Sequence, residues 1–305
     1  MELIPTSQKF RPKITFQDTN VVGNVYFLTY FRWQAECLDH WLREHRAGLW
    51  SEIRAGEQQL QVAHWETRFE DPLGATIGDS VEVLTSICED AQGMLDASAE
   101  VVRQGDSGPH RIASGHMTIA THDGARDLGN GQSYNDHPTG ACYSFVTMLA
   151  AVATWNPLDL LAWQGKCREL FLADYAHDTL HGVASQTLIL QTTRASIDLL
   201  QLPPQQADEV EVEMRLESLK CGQLGVRFDY IARAPDGSSV RFAKGGQKMC
   251  SKRRTGTATS PCALPTDMLQ ALRKFTESDT LLNKIDEILS FSTACRRDIA
   301  TAAAS

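Results

Sequence analysis

The pattern of apolar positions predicts two long buried helices, one in each half of the chain. The first covers Val25 to His45, which contains neither proline nor glycine and is apolar around most of its circumference. The second covers Pro157 to Tyr175, where Pro157 suits the first turn of a helix. Helices that are apolar on nearly all sides are typical of protein interiors. Both stretches are therefore predicted to be enclosed by other elements.

Strand-like stretches follow each predicted helix. They lie near 58–70, 79–89, 94–103 and 111–121 in the first half, and near 186–197, 208–220, 223–234 and 239–250 in the second. Strict alternation of apolar and polar residues from Val210 to Leu216 is the pattern of a half-buried strand. The dipeptide Asp236-Gly237 between two of the stretches predicts a hairpin turn. Each half is thus predicted to be a strand, a long buried helix and then consecutive antiparallel strands.

The two halves match each other at a spacing of about 130 residues. Trp33-Gln-Ala-Glu-Cys37 recurs as Trp163-Gln-Gly-Lys-Cys167, and Leu60-Gln61 recurs as Leu190-Gln191. Further matches in the same order join 79–83 to 208–212 and 111–115 to 241–245. Several matches in the same order at one nearly constant spacing predict an internal duplication. One helix wrapped by a curled antiparallel sheet is the hot-dog architecture, so the predicted fold class is α+β, a double hot-dog. Two unrelated α+β domains are the alternative.

The repeat also predicts the domain organisation. The N-terminal repeat is placed at 1–125, a linker at 126–140, the C-terminal repeat at 141–264 and a helical extension at 265–305. The linker falls in a stretch rich in Gly, Asn, Asp and Ser, as a boundary should. The extension carries an apolar stripe at helical spacing (Leu281, Leu282, Ile285, Ile288 and Leu289), so it is expected to pack on the body.

Composition and charge narrow the classes of function. The 305 residues are 42% apolar and 22% charged, which is typical of a globular protein. The net charge of −9 argues against a nucleic-acid binder. Because no apolar run approaches the roughly 20 residues of a membrane span and the start lacks a signal-peptide pattern, a cytoplasmic location without membrane contact is expected. The eight cysteines form no C-x-x-C pair, so neither a metal nor another cofactor is expected.

One segment carries a family resemblance. Residues 16–34, Phe-Gln-Asp-Thr-Asn-Val-Val-Gly-Asn-Val-Tyr-Phe-Leu-Thr-Tyr-Phe-Arg-Trp-Gln, resemble the start of the helix in hot-dog acyl thioesterases. The closest likeness is to the small thioesterases that accompany enediyne polyketide synthases, whose pattern is close to E-T-N-L-V-G-N-V-Y-Y-x-N-Y-L-R-W-Q-G-x-C-R-E. The second repeat resembles the same pattern in Trp163-Gln-Gly-Lys-Cys-Arg-Glu-Leu-Phe-Leu172.

The resemblance implies an acyl-carrier-protein (or CoA) thioesterase that works without a covalent acyl-enzyme. Its substrate is a polyketide or fatty acyl chain on a phosphopantetheine arm. The N-terminus of the helix polarises the thioester carbonyl, since exposed N–H groups and the helix dipole favour an oxyanion. The implied catalytic residues are Asn20, Tyr30 and Arg168. An amide cannot take a proton near pH 7, so Asn20 is expected to orient water or bind the carbonyl.

Further residues are assigned to substrate binding. Val22, Gly23 and Asn24 form the loop before the helix, and Lys252 and Arg253 could receive an acidic carrier protein or its phosphate. Several of these residues also have a purely structural interpretation. Asn20 could cap the helix, Arg168 could form an ion pair, and the basic run could be a solvated strand end.

The two copies have lost opposite parts of the family's constellation. The first keeps Asn20 and Tyr30 but has Leu38 at the arginine position, while the second keeps Arg168 but has Ala150 and Leu160 in place of the other two. Either Asn20 and Arg168 meet in one site, or both sites are incomplete. The alternative functions are an acyltransferase/decarboxylase, a dehydratase and a non-catalytic acyl-binding protein. A homodimer of double hot-dogs is left open.

Overall fold

One antiparallel sheet runs through both halves of the chain. The computed structural model describes residues 6–20, 24–55, 57–58, 60–71, 74–90, 93–120, 141–148, 156–203, 207, 209–256 and 258–290. In this part, eleven strands join in the order β1-β3-β4-β5-β2-β7-β10-β9-β8-β6, with β11 paired to β10. The predicted linker at 126–140 lies outside the described residues.

The elements have the following bounds. The strands are β1 (Thr6–Phe10), β2 (Gln61–Phe69), β3 (Ser80–Glu89), β4 (Met94–Gly105), β5 (Gly108–Ala120), β6 (Tyr143–Met148), β7 (Leu188–Leu199), β8 (Glu209–Lys220), β9 (Gln223–Arg233), β10 (Ser239–Thr255) and β11 (Ala258–Pro261). The helices are α1 (Phe27–His45), α2 (Ala47–Ala55), α3 (Pro157–Tyr175), α4 (His177–Ala184) and α5 (Thr266–Lys274), followed by α6 at 279–290.

The two repeats meet where β2 pairs with β7. Their register runs from His64 opposite Asp198 to Arg68 opposite Arg194, with Glu66 opposite Ser196 at the centre. Ser196 is also the counterpart of Glu66 at the repeat spacing of 130 residues. A local two-fold axis therefore passes through this pair, and it exchanges the two repeats.

Equivalent side chains on the two long helices both bond to the sheet, although to different groups. The buried amides of Gln34 and Gln164 each bond to the sheet: Gln34 Nε2 donates to Thr67 Oγ1 at 2.9 Å, and Gln164 Nε2 donates to the Ser196 carbonyl at 3.0 Å. Together with the shared sheet, this confirms the predicted double hot-dog. The domain bounds themselves stay a prediction.

Helix α1 begins two residues later than the sequence pattern suggests. Val25 lies in an extended bridge with Thr19, and the Tyr26 N–H donates to the Asp18 carbonyl at 2.8 Å. These bonds hold the chain extended up to Tyr26, which is the N-cap. The apolar residues Val25 and Tyr26 thus belong to the loop in front of the helix.

The larger hydrophobic cluster extends across both repeats and includes the C-terminal extension. Phe31 of α1 and Phe171 of α3 are buried in the same cluster as Leu269 of α5 and Ile285 of α6. The short helices α2 and α4 follow α1 and α3 at equivalent places, and the sequence pattern did not predict them. None of the helices in the described ranges is long and apolar enough to cross a membrane.

Candidate active site

A small cavity lies between the N-terminus of α1 and the middle of α3. Its volume is about 90 Å³. Asn20, Asn24 and Tyr30 of the first repeat line it together with Arg168 of the second. The structure therefore brings all three predicted catalytic side chains to one cavity, and it takes them from both repeats. Val22 and Gly23 lie outside the described residues.

Asn20 closes the loop in front of α1 and does not cap the helix. Its Oδ1 accepts from the Asn24 N–H at 3.2 Å, and its own N–H donates to the Asn24 carbonyl at 2.8 Å. The loop is anchored by Asp18, whose buried carboxylate accepts from Thr15 and Arg32 and whose carbonyl accepts from Thr29 Oγ1 at 3.1 Å. The structure thus places Asn20 at the cavity, where it is bonded to Asn24.

The N-terminus of α1 is open, whereas that of α3 is closed. The first N–H groups of a helix have no partner inside the helix. The N-cap Tyr26 makes no side-chain cap, and the first turn of α1 contains no acidic residue. In α3, Asn156 accepts from the Leu158 N–H at 3.0 Å, and Asp159 adds a negative charge to the first turn. Of the two helices, α1 therefore keeps its positive end without a side-chain cap or an acid in the first turn.

A glycine lets the start of α1 approach α3 closely. A Cβ on Gly165 would lie 2.1 Å from the Tyr26 hydroxyl and 3.5 Å from the Phe27 ring. The counterpart of Gly165 in the first repeat is Ala35. Without a side chain at 165, Tyr26 can hydrogen-bond to Arg168, which opposes the rise that burial causes in the pKa of Tyr26.

Tyr30 is buried with its hydroxyl at the cavity. The Ala75 N–H donates to Tyr30 Oη at 3.0 Å, so the phenol keeps its own proton for another acceptor. Burial raises the pKa of Tyr30 to about 12, with the hydrogen bond from Ala75 opposing the rise. The ring packs against Trp33 and Phe69. Tyr30 is therefore a neutral, rigid hydrogen-bond donor.

Arg168 brings a positive charge into the cavity. Its Nη1 donates to Thr192 Oγ1 at 3.1 Å and to Gln247 Oε1 at 3.3 Å, and its guanidinium lies 5.9 Å from the centre of the Phe27 ring. In the described part of the chain its hydrogen-bond partners are neutral groups. The structural alternative of an ion pair with an acidic neighbour thus finds no support there, and the charge is available to a developing oxyanion.

The basic pair at the end of β10 is divided between two places. Side chains of consecutive strand residues point to opposite faces. Lys252 Nζ donates at 2.6 Å to Oε1 of Gln191, which lines the cavity. Arg253 instead lines a separate cleft of about 1230 Å³ beside α4, α5 and α6. Lys252 therefore belongs to the surroundings of the candidate site, whereas Arg253 does not.

Several residues of the cavity were missed by the sequence interpretation. They include Tyr26, Phe69, Asp71, Ile112, Gln191 and Thr192. Gln191 carried a signal, because it recurs in the repeat as Gln61. Asp71 carried none, since it follows a strand as one acidic residue among many. Among the described residues, no group of three or more His, Cys, Asp or Glu side chains could hold a metal ion.

The comparisons with known proteins identify the fold. No family model and no curated protein matches the chain. Among solved structures, it is similar to the 12:0-ACP thioesterase from Umbellularia californica (TM-score 0.53, 10% identity, covering 81% of this chain and 94% of that one). It is also similar to an acyl-ACP thioesterase from Bacteroides thetaiotaomicron (TM-score 0.52, 8% identity, 80% and 97%). The dynemicin thioesterase matches at 28% identity over 45% of this chain and 99% of its own, with a TM-score of 0.38.

The structural neighbours are thus hot-dog thioesterases, and matches to them extend over most of this chain. The chain has the double hot-dog fold of these enzymes, with two hot-dog repeats in one polypeptide. At the identities of the two longer matches the likeness shows the fold alone.

Proposed function

We propose that this protein is a thioesterase that hydrolyses an acyl thioester in a single site shared by the two repeats. The observation that carries the proposal is the meeting of Asn20 and Tyr30 with Arg168 at one cavity beside the open N-terminus of α1. Each repeat alone lacks part of this set, so the complete set arises only from the fused pair.

The proposed mechanism is direct attack by water. The thioester carbonyl oxygen points at the first turn of α1, where backbone N–H groups, the Arg168 guanidinium and the Tyr30 hydroxyl stabilise the negative charge that develops. Asn20 orients the attacking water through its amide. A C–O bond forms, the C–S bond breaks, and the proton lost by water reaches the departing sulfur through solvent. The products are a carboxylic acid and a thiol.

We further propose that the acyl chain is carried by a phosphopantetheine arm, on an acyl carrier protein or CoA. The two longer structural matches are acyl-ACP thioesterases by name. In this chain, Lys252 stands beside the cavity through Gln191 and could bind the phosphate of the arm. The motif at 16–34 supports a polyketide or fatty acyl chain by its resemblance to the enediyne-associated thioesterases.

Three positions of this site correspond to buried apolar side chains on the other side of the repeat relation. Leu38 replaces Arg168, Leu160 replaces Tyr30, and Phe242 stands where the first repeat has Ile112. All three side chains are buried in the apolar core. The Tyr230 hydroxyl donates to the Leu160 carbonyl at 2.8 Å. The proposal therefore assigns one working site to each chain.

The proposal is tested with a panel of acyl-CoA and acyl-carrier-protein thioesters of different chain lengths. Free acid and free thiol are followed by mass spectrometry for the wild type and for Asn20→Ala. We expect equal amounts of acid and thiol from the wild type and a loss of about 10²-fold or more in kcat/KM for the variant. Tight binding without thiol release, or thiol release with a transferred or decarboxylated acyl group, would contradict hydrolysis.

A further inference from the structure

Gln191 forms a bridge between the repeats at the edge of the candidate site. It lies on β7 of the second repeat, and its Nε2 donates at 2.9 Å to the carbonyl oxygen of Asp71 in the first repeat. Its Oε1 accepts from Lys252 Nζ at 2.6 Å and from Cys250 Sγ at 3.7 Å. One amide thus uses its donor side for one repeat and its acceptor side for the other.

Asp71 continues the network toward Tyr30. Its carboxylate, which is almost fully buried, accepts from Arg103 Nη2 at 2.8 Å. The other arm of the same guanidinium donates to the Gly74 carbonyl at 2.8 Å. The next residue, Ala75, donates its N–H to Tyr30 Oη at 3.0 Å. Hydrogen bonds and one short stretch of backbone therefore connect Gln191 to the hydroxyl of Tyr30.

We infer that Gln191 is a positioning residue, which holds Asp71, Gly74 and Ala75 in the place that orients Tyr30 and ties that place to the cation Lys252. The inference rests on the proposed hydrolysis for its effect on rate. The contacts that carry it are independent of any activity. Gln191 acts on the reaction through Asp71, Ala75 and Tyr30.

The first repeat supplies a matched control. Gln61 is the counterpart of Gln191 at the repeat spacing of 130 residues, and it lies on β2 at a similar half-buried position. In the described part of the chain its side chain has no hydrogen-bond partner, whereas Gln191 has three. Substitution at the two positions removes the same atoms from equivalent strands, and only one substitution breaks the bridge.

The isosteric variant Gln191→Glu separates hydrogen bonding from packing. A glutamate fills the same space and still accepts from Lys252, but it has no N–H to give to the Asp71 carbonyl. The Asp71 carbonyl would keep the bond from the Gly74 N–H at 3.2 Å but lose its bond to the second repeat, and this loss is expected to loosen the segment. Exchange of the Ala75 amide hydrogen reports this directly, because that hydrogen is held by Tyr30 Oη.

The experiment measures Ala75 amide exchange by NMR and kcat and KM for an acyl-pantetheine 4′-phosphate thioester, in the wild type and in Gln191→Glu, Gln191→Ala and Gln61→Ala. We expect exchange about tenfold faster and kcat about tenfold lower in both Gln191 variants, with Gln61→Ala at the wild-type values. Wild-type exchange in Gln191→Glu would overturn the inference, as would equal effects in Gln61→Ala. If the wild type hydrolyses no thioester, the proposed function fails, and the exchange rates still decide the role of Gln191.

Discussion

The two repeats share one architecture but differ at the start of their long helices. Asn156 caps α3, Pro157 occupies its first turn and Asp159 neutralises its positive end. At the start of α1, Tyr26 makes no side-chain cap and no acid follows it. Capping stabilises a helix by about 1 kcal/mol. The first repeat therefore gives up stabilisation at the place where an oxyanion would bind, while the second repeat has used that place for stability.

The interior shows the same division. Tyr30, with its bonded hydroxyl, corresponds to Leu160, and the cation Arg168 corresponds to the buried Leu38. Each polar member of the pair lines the cavity, and each apolar member lies in the core. At these two positions, each repeat thus contributes a polar side chain to the cavity where the other repeat has an apolar one.

The largest expected effect comes from making the second repeat like the first at the arginine position. Arg168→Leu installs the side chain found at residue 38 and removes the charge that stabilises the oxyanion. We expect kcat/KM to fall by about 10²- to 10³-fold, measured by steady-state thiol release. Glu169→Gln, on the exposed side of the same helix turn, is the control and should keep wild-type activity.

A smaller loss is expected when the first repeat is made less polar at its tyrosine. Tyr30→Phe keeps the ring but removes the acceptor of the Ala75 N–H, and we expect kcat/KM to fall about 10- to 100-fold. Because the pKa of Tyr30 is raised to about 12, the phenol stays protonated below that pH. The wild-type pH profile should therefore show no loss from Tyr30 between about pH 6 and 10. A fall with an apparent pKa near 9 that Tyr30→Phe abolishes would contradict this assignment.

Substitution of either buried glutamine should lower the stability of the protein equally, but only one of the two substitutions should lower its activity. Gln34→Leu and Gln164→Leu each leave buried partners unsatisfied, so each should lower the free energy of unfolding by about 1–3 kcal/mol. Gln164 Oε1 also accepts from Gln247 Nε2 at 3.2 Å, and Gln247 Oε1 accepts from Arg168. Only Gln164→Leu should lower kcat/KM, by about tenfold. Urea unfolding and steady-state rates test both statements, and equal activity losses would argue against a site built on Arg168.

The smallest effect is expected at the pairing of β2 with β7, where the two repeats meet. His64 Nδ1 lies 2.5 Å from Asp198 Oδ1, and this hydrogen bond raises the pKa of His64 and lowers that of Asp198. The contribution of His64 is present below its unfolded pKa of about 6.5 and is lost as the pH rises through the raised value. That of Asp198 is present above its unfolded pKa of about 4 and is lost as the pH falls through the lowered value. The pair is therefore strongest between about pH 4 and 6.5.

Since about a third of each side chain is exposed, the pair should contribute less than about 1 kcal/mol. His64→Gln should lower the Tm more at pH 5.5 than at pH 8.5. The two-fold axis relates His64 and Asp198 to Arg194 and Arg68, which bond to Glu66 instead. Arg68→Gln should therefore lower the Tm equally at both pH values, because arginine stays charged. Equal losses for His64→Gln at the two pH values would contradict the role of this ion pair.

Much of the fold follows from the sequence, since periodicity and the repeat carry it. The helix at 157–175 and the strand positions agree with the structure closely, because alternation and apolar helical stretches reflect burial directly. The start of α1 differs because Val25 and Tyr26 are apolar whether they lie in a helix or in an extended loop. The short helices α2 and α4 were missed because they are half-buried and carry no long apolar stripe.

The candidate site could be predicted only as a set of residues. The motif indicated Asn20, Tyr30 and Arg168, but sequence left open whether residues from different repeats meet, because this depends on how β2 pairs with β7. Lys252 and Arg253 are neighbours in sequence, but their side chains lie at different places because consecutive strand residues point to opposite faces of the sheet. The carbonyl of Asp71 enters the network through its backbone, which side-chain identity does not reveal.

Counting the binding sites tests whether each chain has one site built from both repeats. Isothermal titration calorimetry with a ketone analogue of a medium-chain acyl-pantetheine 4′-phosphate, in which CH₂ replaces the sulfur, gives the number bound per chain. We expect one per chain, with binding weakened both by Asn20→Ala in the first repeat and by Arg168→Leu in the second. Two equivalent sites per chain, or binding that only one of these variants weakens, would contradict it.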